Sequence, residues 1–208
     1  MGYNPKDFYF KKAKEQNFAA RSIFKLEEID QRFRILRPQM KVLDLGCAPG
    51  SWAQYASQKI GPKGRCIGID LQRVKIALPN CRFIQGDAFE QPLLDSILTE
   101  EGLDQFDIIM SDMAPKTTGV RLQDQARSYQ LCVRAHDVAQ RNLKPGGTLI
   151  VKFFQSDWFE DFVKELRPHF KKIELLRPKS TRKNSFEIFI LGLDYQPTTT
   201  ATPADSVL

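Results

Sequence analysis

The stretch 42–55, VLDLGCAPGSWAQY, limits what this chain can fold into more than any other part of the sequence. It starts as an apolar run, breaks at Gly46, Pro49 and Gly50, and then resumes with a helical pattern. A strand, a glycine turn and a helix in succession are how α/β proteins present backbone N–H groups to a nucleotide-like ligand at the carboxyl end of a strand. We therefore predict a buried strand, a ligand-binding turn and a helix over 51–60.

The spacing of these glycines excludes the two best-known phosphate-binding motifs. Gly46 and Gly50 lie too far apart for G-x-G-x-x-G, and no Gly-Lys-Ser or Gly-Lys-Thr follows them. Asp44 in the strand and Pro49 in the turn suit S-adenosylmethionine, which carries no phosphate and needs its adenosine and amino-acid ends held. An ordinary tight turn between a strand and a helix is the alternative interpretation of the motif.

Length and composition indicate one globular, intracellular domain. The chain has 208 residues, of which 42% are hydrophobic, and this is enough for a single core. No apolar run approaches the ~20 residues that span a bilayer, and the N-terminus lacks the apolar core of a secretory signal. We therefore expect a cytoplasmic protein without membrane contact. We also expect one domain over 1–195, which includes a basic helical arm over 1–20, and a disordered tail over 196–208.

The histidines and cysteines argue against metal and disulfide chemistry. Two histidines are too few for a histidine zinc site and give little basis for a Ser-His-Asp triad. The four cysteines have no metal-ligand spacing, and we interpret them as free thiols in a reducing cytoplasm. We expect no bound metal and a monomeric protein.

Positive charge is concentrated towards the two ends of the predicted domain. The net charge is +6, and residues 1–41 carry 10 Lys and Arg against 5 Asp and Glu. Residues 171–183 carry 6 basic side chains against 1 acidic side chain. Two basic flanks around a nearly neutral centre indicate a polyanionic partner, most simply nucleic acid. For either flank alone, solvated basic helix ends are the alternative.

Acidic residues follow three of the predicted strands. Asp70 ends a strand over 65–70, about 20 positions after the glycine turn, where a doubly wound fold places a carboxylate on ribose hydroxyls. Asp87 follows a short third strand and would lie near an adenine ring. Asp112 follows the apolar fourth strand, 106–111. Each acid could instead be a turn or cap residue, but together they favour a ligand site.

Seven predicted strands with helices between them indicate an α/β fold. We predict a mostly parallel sheet with one antiparallel strand at the end, because the last two strands, about 172–176 and 186–191, are closely spaced. Lys152 stands inside the apolar fifth strand, where an unpaired lysine would be costly. Glu187 lies inside the predicted last strand, where strand alternation puts its side chain on the face opposite Phe186 and Ile188. Lys25 lies at the edge of a buried helical stripe; this position favours a surface lysine, and a side chain that reaches inward is the alternative.

Several motifs together resemble one known family. They are RSIFKL at 21–26, DLGCAPGSW at 44–52, SDMAP at 111–115, VKFFQ at 151–155, and RP at 177–178 with STR at 180–182 before Glu187. The set is similar to the FtsJ/RrmJ family of S-adenosylmethionine-dependent ribose 2′-O-methyltransferases over about residues 8–193, and most of all to its bacterial members that act on large-subunit ribosomal RNA. Ser51 departs from the family, which often has glycine there. A serine that caps the following helix would preserve cofactor binding.

The resemblance implies a Rossmann-like class I methyltransferase fold with helices on both faces of the sheet. It implies a catalytic set that maps to Lys25, Asp112, Lys152 and Glu187. The implied cofactor is S-adenosylmethionine, and the residues expected to hold it are Gly46, Gly50, Trp52, Asp70, Asp87 and Asp112. Lys152 would orient the ribose hydroxyl, and a neutral amine there could also accept its proton. The sequence leaves open which of these it does.

The implied substrate is RNA, since DNA has no 2′-hydroxyl to accept a methyl group. The resemblance indicates a uridine of large-subunit ribosomal RNA, either free or in the large ribosomal subunit. The basic side chains expected to contact phosphates are Lys11, Lys12, Lys14, Arg21, Arg177, Lys179, Arg182 and Lys183. Three alternatives stay open: a transfer-RNA ribose methyltransferase of the same family, a non-catalytic RNA-binding protein on this scaffold, and a nicotinamide-dependent oxidoreductase. The missing G-x-G-x-x-G argues against the last.

Overall fold

A computed structural model describes residues 8–182 and 184–197, which form seven strands and six helices. The strands are β1 (Lys41–Leu45), β2 (Arg65–Asp70), β3 (Cys81–Gln85), β4 (Phe106–Ser111), β5 (Leu143–Phe154), β6 (Phe170–Leu176) and β7 (Glu187–Tyr195). The helices are α1 (Phe8–Glu15), α2 (Ile23–Phe33), α3 (Ser51–Ile60), α4 (Gln91–Glu101), α5 (Arg121–Asn142) and α6 (Phe159–Leu166). The start of the predicted arm, Lys183 and nearly all of the predicted tail lie outside the described residues.

All seven strands belong to one sheet, in the order β3-β2-β1-β4-β5-β7-β6. The pairs from β3 through to β5 are parallel; in the centre, Asp44 of β1 is in register with Gly68 of β2 and Met110 of β4. β7 runs antiparallel to both β5 and β6. The predicted fold class, a mostly parallel sheet with one antiparallel strand, is therefore confirmed.

The limits of the strands depend on their pairing partners. α3, β2 and β4 begin and end where the sequence predicts. β5 begins at Leu143, before the start at Thr148 that its apolar run predicts, because Leu143 pairs with Phe106 before the register between the two strands shifts. β7 continues past its predicted end, because its pairing with β6 extends to the Phe170–Tyr195 pair.

Apolar side chains cover both faces of the sheet. On one face α4, α5 and α6 pack over strand residues such as Leu43 and Phe153, and on the other α2 and α3 pack over Val42 and Phe189. Successive strand residues face opposite sides, so a strand that is covered on both faces is apolar throughout. Within the described ranges, no helix is both long and apolar enough to cross a membrane.

Ser51 does not cap a helix with its side chain, contrary to the prediction, and neither does Ser22. Ser22 precedes α2 but its hydroxyl makes no cap hydrogen bond, and α3 begins at Ser51 itself, after Gly50. The two serine hydroxyls instead hydrogen-bond to each other at 2.8 Å. This contact links the start of α2, which carries Lys25, to the glycine turn.

The described part of the basic arm contains α1, which packs against α2. Ala13 is its buried residue. The rings of Tyr9 and Phe24 lie 5.5 Å apart, and the Lys12 ammonium lies 4.4 Å above the Phe24 ring. These contacts fix the arm beside the helix that contributes Lys25.

Candidate active site

Four charged side chains from four separate elements meet at the carboxyl edge of the parallel strands. Asp112 directly follows β4, Lys152 lies in β5, and Glu187 begins β7. These strands are consecutive in the sheet, and α2 supplies Lys25 from the face that it covers. The structure thus brings together the four residues of the predicted catalytic set; their roles stay a prediction.

The four groups form one connected cluster. Lys25 Nζ lies 2.6 Å from Glu187 Oε1 and 3.9 Å from Asp112 Oδ1. Lys152 Nζ donates a hydrogen bond to Asp112 Oδ1 at 2.9 Å and a second one to the Asp112 backbone carbonyl. The Asp112 carboxylate therefore lies between the two ammonium groups, and both lysines are held in place by acidic partners.

Burial makes these contacts important for stability. The four side chains are between 7% and 18% exposed, and a charge removed from water to this extent needs a partner. Two positive and two negative groups balance each other here. The helical position of Lys25 favoured a surface lysine, but the side chain is buried in the structure. Its ion-pair partner, Glu187, comes from a strand that is remote in the sequence.

A cleft of about 450 Å³ opens beside this cluster, along the strand ends. Asp70, Asp87 and Asp112 line it, each from a different strand end. Asp70 Oδ2 accepts a hydrogen bond from the Ala48 backbone N–H at 2.9 Å, which directs its carboxylate to the glycine turn. Asp87 Oδ1 accepts one from the Phe89 backbone N–H at 3.0 Å. The volume and the few convergent polar groups are typical of a small-molecule site.

The three predicted residues of the glycine turn have different surroundings. Gly46 lines the cleft, and a Cβ at this position would collide with the Met113 side chain. Gly50 has a φ of 106°, in the left-handed region that favours glycine, and the loop after β2 packs closely against it. Trp52 is 2% exposed and donates its indole N–H to the Ser22 carbonyl at 3.0 Å. Gly46 therefore lies in the cleft wall, whereas the Trp52 side chain supports the turn from behind.

Asp44 is a deeply buried acid next to the cleft. It is 1% exposed, and its Oδ2 has no hydrogen-bond partner among the described residues. With Asp112 it lines a small cavity of about 30 Å³, the space of one water molecule. Burial, followed by the negative charge of Asp112, raises the pKa of Asp44 well above its usual range. The environment therefore favours a neutral carboxyl or a positively charged neighbour.

Arg134 is a residue of the cleft that gave no signal in the sequence. Its guanidinium lies 4.0 Å above the Phe89 ring and 3.6 Å from Asp87 Oδ2, and all three residues line the cleft. Arg134 is one of several arginines on α5, and nothing local distinguishes it from the others. The packing of α5 over β4 and β5 brings it within reach of Asp87 and Phe89.

The basic loop 177–186 packs against the helix that carries Lys25. The Glu28 carboxylate accepts hydrogen bonds from the backbone N–H groups of Lys179 at 2.6 Å and Ser180 at 2.9 Å. Arg21 donates a hydrogen bond to the Ser180 carbonyl at 2.5 Å. The two basic flanks of the sequence therefore form one surface beside the charged cluster.

The predicted RNA-contacting residues differ in exposure. Lys11, Lys14, Arg177, Lys179 and Arg182 are exposed, while Lys12 and Arg21 are half-buried. Arg21 and Arg182 line a cavity of about 300 Å³ that also contains Lys25 and Glu187. This cavity reaches the cluster from the Lys25 side, whereas the larger cleft reaches it from Asp112. Lys183 lies outside the described residues.

Sequence comparison identifies close relatives over nearly the whole chain. The model of the family described as FtsJ-like methyltransferase matches residues 18–195. "Ribosomal RNA large subunit methyltransferase E" of Bdellovibrio bacteriovorus is 55% identical over 194 residues, which cover 93% of this chain and 98% of the relative. The protein with the same name in Desulfatibacillum aliphaticivorans is 50% identical, with 90% and 89% of the two chains covered.

Solved structures share the fold of this chain. A ribosomal RNA methyltransferase from Plasmodium falciparum aligns with a TM-score of 0.76 at 27% identity, over 86% of this chain and 98% of that chain. Fibrillarin of Aeropyrum pernix, solved with natively bound S-adenosyl-L-methionine, aligns with a TM-score of 0.53 at 18% identity, over 76% and 68%, and shares the fold. On this evidence the chain is a methyltransferase that belongs to the FtsJ-like methyltransferase family.

Proposed function

We propose that this chain transfers the methyl group of S-adenosylmethionine to the ribose 2′-hydroxyl of a uridine in large-subunit ribosomal RNA. The observation that carries the proposal is the meeting of Lys25, Asp112, Lys152 and Glu187 beside a cleft lined by carboxylates. The names of the bacterial relatives support large-subunit ribosomal RNA as the substrate class.

The cleft offers the groups that this cofactor requires. Carboxylates at Asp70 and Asp87 can accept hydrogen bonds from ribose hydroxyls and from the adenine amino group, and Asp112 can pair with the amino group of the methionine part. The unpartnered Asp44 Oδ2 adds a buried acceptor next to Asp112, and the acidic lining favours a cationic ligand. When bound, the cofactor supplies a methyl group activated by a positive sulfur.

The main task of the protein in this reaction is positioning. Displacement at a methyl carbon needs the attacking oxygen, the carbon and the leaving atom close together and nearly in line. Lys152 Nζ would orient the 2′-hydroxyl, and in its neutral amine form it would also receive the hydroxyl proton. Asp112 holds Lys152, and Glu187 holds Lys25, so that the charged array is already arranged before the substrate enters.

The second cavity suits the ribose and phosphates of an RNA chain. Arg21 and Arg182 are close to Lys25 and Glu187 there, so a phosphate bound by the arginines would bring its ribose towards the cluster. Phosphate contacts fix the position of a nucleic acid without reading its sequence. The choice of one uridine would therefore depend on the shape of the folded RNA around it.

Lys152→Ala tests the proposed chemistry. We expect methyl transfer to fall at least ~10²-fold, because both the orientation and the proton acceptance by Nζ are lost. The assay measures labelled methyl transferred to large ribosomal subunits purified from a strain without the gene. The dissociation constant for S-adenosylmethionine, measured by calorimetry, should stay within a few-fold of the parent value.

Lys164→Ala is the matched control for this variant. Lys164 is a lysine on α6 with 70% of its side chain exposed, so its removal should leave the rate unchanged. Near-normal turnover by the Lys152 variant would contradict the proposed role. A melting curve of each variant separates a lost reaction from a lost fold.

A map of 2′-O-methyl groups in all RNA, with and without the gene, identifies the acceptor. The proposal predicts the loss of a methylated uridine in large-subunit ribosomal RNA. Loss of a methyl group from transfer RNA instead would assign the chain to a different substrate class. An unchanged map would favour a non-catalytic RNA-binding role.

A further inference from the structure

Cys66 and Cys81 are direct neighbours on adjacent parallel strands, at the end of the sheet away from the charged cluster. The strand register pairs Cys66 of β2 with Cys81 of β3. Paired residues in a ladder point to the same face, so the two cysteine side chains lie side by side. Neighbouring strands lie about 4.8 Å apart, within the range of Cα separations, roughly 4.4–6.8 Å, that a disulfide spans.

The two thiols differ in their access to solvent. Cys66 is completely buried, whereas Cys81 is only partly buried. Cys81 also lines an open cavity of about 500 Å³ between β3 and the loop 71–80. A small reagent that enters this cavity therefore meets Cys81 first.

The surroundings also make Cys81 the more reactive thiol. Its hydrogen bond with Cys66, a further hydrogen bond with Ser57 and the positive charge of Arg65 lower the pKa of Cys81. The hydrogen bond with Cys81, together with burial, raises the pKa of Cys66 well above its usual range. Because the thiolate is the nucleophile in thiol chemistry, Cys81 is suited to attack and Cys66 to act as the resolving thiol.

We propose that Cys66 and Cys81 form a reversible disulfide when a peroxide enters the cavity beside β3. The Cys81 thiolate attacks one peroxide oxygen, the O–O bond breaks, and the products are a sulfenic acid and a hydroxide ion. The Cys66 thiol then attacks the Cys81 sulfur, and its proton leaves with the sulfenic hydroxyl as water. Two electrons pass from the two thiols to the peroxide, and a dithiol reductant reverses the change.

The position of β3 allows this bond to form in the folded protein. β3 is an edge strand of the described sheet, and its strand partner there is β2. It can therefore shift towards Cys66 without disturbing a second neighbouring strand. Asp70 and Asp87 follow the opposite ends of these two strands, so the modification site is separate from the proposed cofactor site.

Mass spectrometry of the full chain, titrated with hydrogen peroxide under native conditions, tests the proposal. The expected product is a monomer lighter by two hydrogen masses. Proteolysis should release a cross-linked peptide pair that contains Cys66 and Cys81. Dithiothreitol should restore the original mass and separate the two peptides.

Variants of each cysteine show whether the disulfide forms between Cys66 and Cys81. Cys81→Ser should abolish the cross-link, and Cys66→Ser should stop at a sulfenic acid on Cys81 that a dimedone-type reagent traps. Cys66→Ala repeats this test if the serine variant does not fold, as judged by circular dichroism. Cys47→Ser and Cys132→Ser are the matched controls, since both cysteines are buried, and they should cross-link like the parent. A cross-link through Cys47 or Cys132, or peroxide oxidation that leaves Cys81 reduced, would overturn the proposal.

Discussion

His136 is buried on α5 among aromatic rings. The rings of Phe162 and Phe170 lie within 6.5 Å of it, and Gln140 contacts both His136 and His169 through its amide nitrogen. Burial, and then the nearby charge of His169, lower the pKa of His136 to about 4. The imidazole is therefore neutral in the folded protein at neutral pH.

This histidine should make the protein less stable in acid. The pKa of an exposed histidine is about 6.5, so between roughly pH 6.5 and pH 4 the unfolded chain binds a proton that the folded chain does not. The free energy of unfolding should fall by up to about 1.4 kcal/mol per pH unit across this range because of this group. Urea unfolding at several pH values measures the free energy of unfolding as a function of pH. Between pH 4 and pH 6.5 this free energy should change less steeply with pH in His136→Gln than in the parent. An equal slope in the variant would assign the acid sensitivity to other groups.

Single residues also show which parts of the site can be predicted from sequence. Lys152 was visible because it interrupts an apolar strand, where an unpaired charge would be costly. Lys25 was not, because its helical position fits a surface lysine and its partner Glu187 is far away in the chain. The helical position alone allows either a surface or an inward lysine, and the family resemblance favours the inward one. Arg134 gave no signal at all, since its role depends on the packing of α5.

The contact between α2 and the basic loop is the main structural feature that joins the two basic flanks. Glu28 accepts two backbone hydrogen bonds from this loop. Hydrogen bonds to a charged group contribute about 1.5–3 kcal/mol. We expect Glu28→Ala to release the loop and to weaken RNA binding about 10-fold, while cofactor binding stays unchanged. Titration of a large-subunit RNA fragment at fixed salt measures the RNA affinity. Calorimetry with S-adenosylmethionine measures the cofactor affinity.

Glu27→Ala is the matched control for this prediction. Glu27 is the preceding residue of the same helix, has the same charge and is also half-buried. The two variants therefore change the net charge equally, and a general electrostatic effect on RNA would move both affinities in parallel. Equal affinities for the two variants would refute the anchoring role of Glu28.

The elements that the sequence predicts well have local signals at both ends. α3 is bounded by Gly50 and Gly61, and its apolar residues repeat at helical spacing. The start of β5 and the end of β7 instead depend on a strand partner elsewhere in the chain, such as Phe106 for Leu143. Such limits appear only when the sheet is assembled, because pairing is a property of two segments.

The charge distribution of the whole molecule should determine how its RNA affinity depends on salt. Replacing Lys11, Lys12 and Lys14 with alanine removes three charges from the arm that packs against α2. Each lost phosphate contact on single-stranded RNA should reduce the slope of log affinity against log salt by about 0.7. Binding titrations at several salt concentrations measure this slope.

A triple variant of Lys63, Lys164 and Lys171 is the control for the arm. These lysines are exposed and lie towards the amino edge of the strands, opposite the charged cluster. The control loses the same charge, but its log RNA affinity should depend on log salt concentration nearly as steeply as that of the parent. If both triple variants lower the slope equally, the net charge of the protein, rather than the arm, controls RNA binding.

The strand order also determines when a newly synthesised chain can become active. β7 is the last strand in the described chain, yet it is inserted between β5 and β6 and contributes Glu187 to the cluster. During translation, the earlier strands can assemble while the segment that completes the sheet is still inside the ribosomal exit tunnel. Nascent chains should therefore be inert until β7 has emerged and docked, so that catalytic competence begins only after synthesis has passed Tyr195.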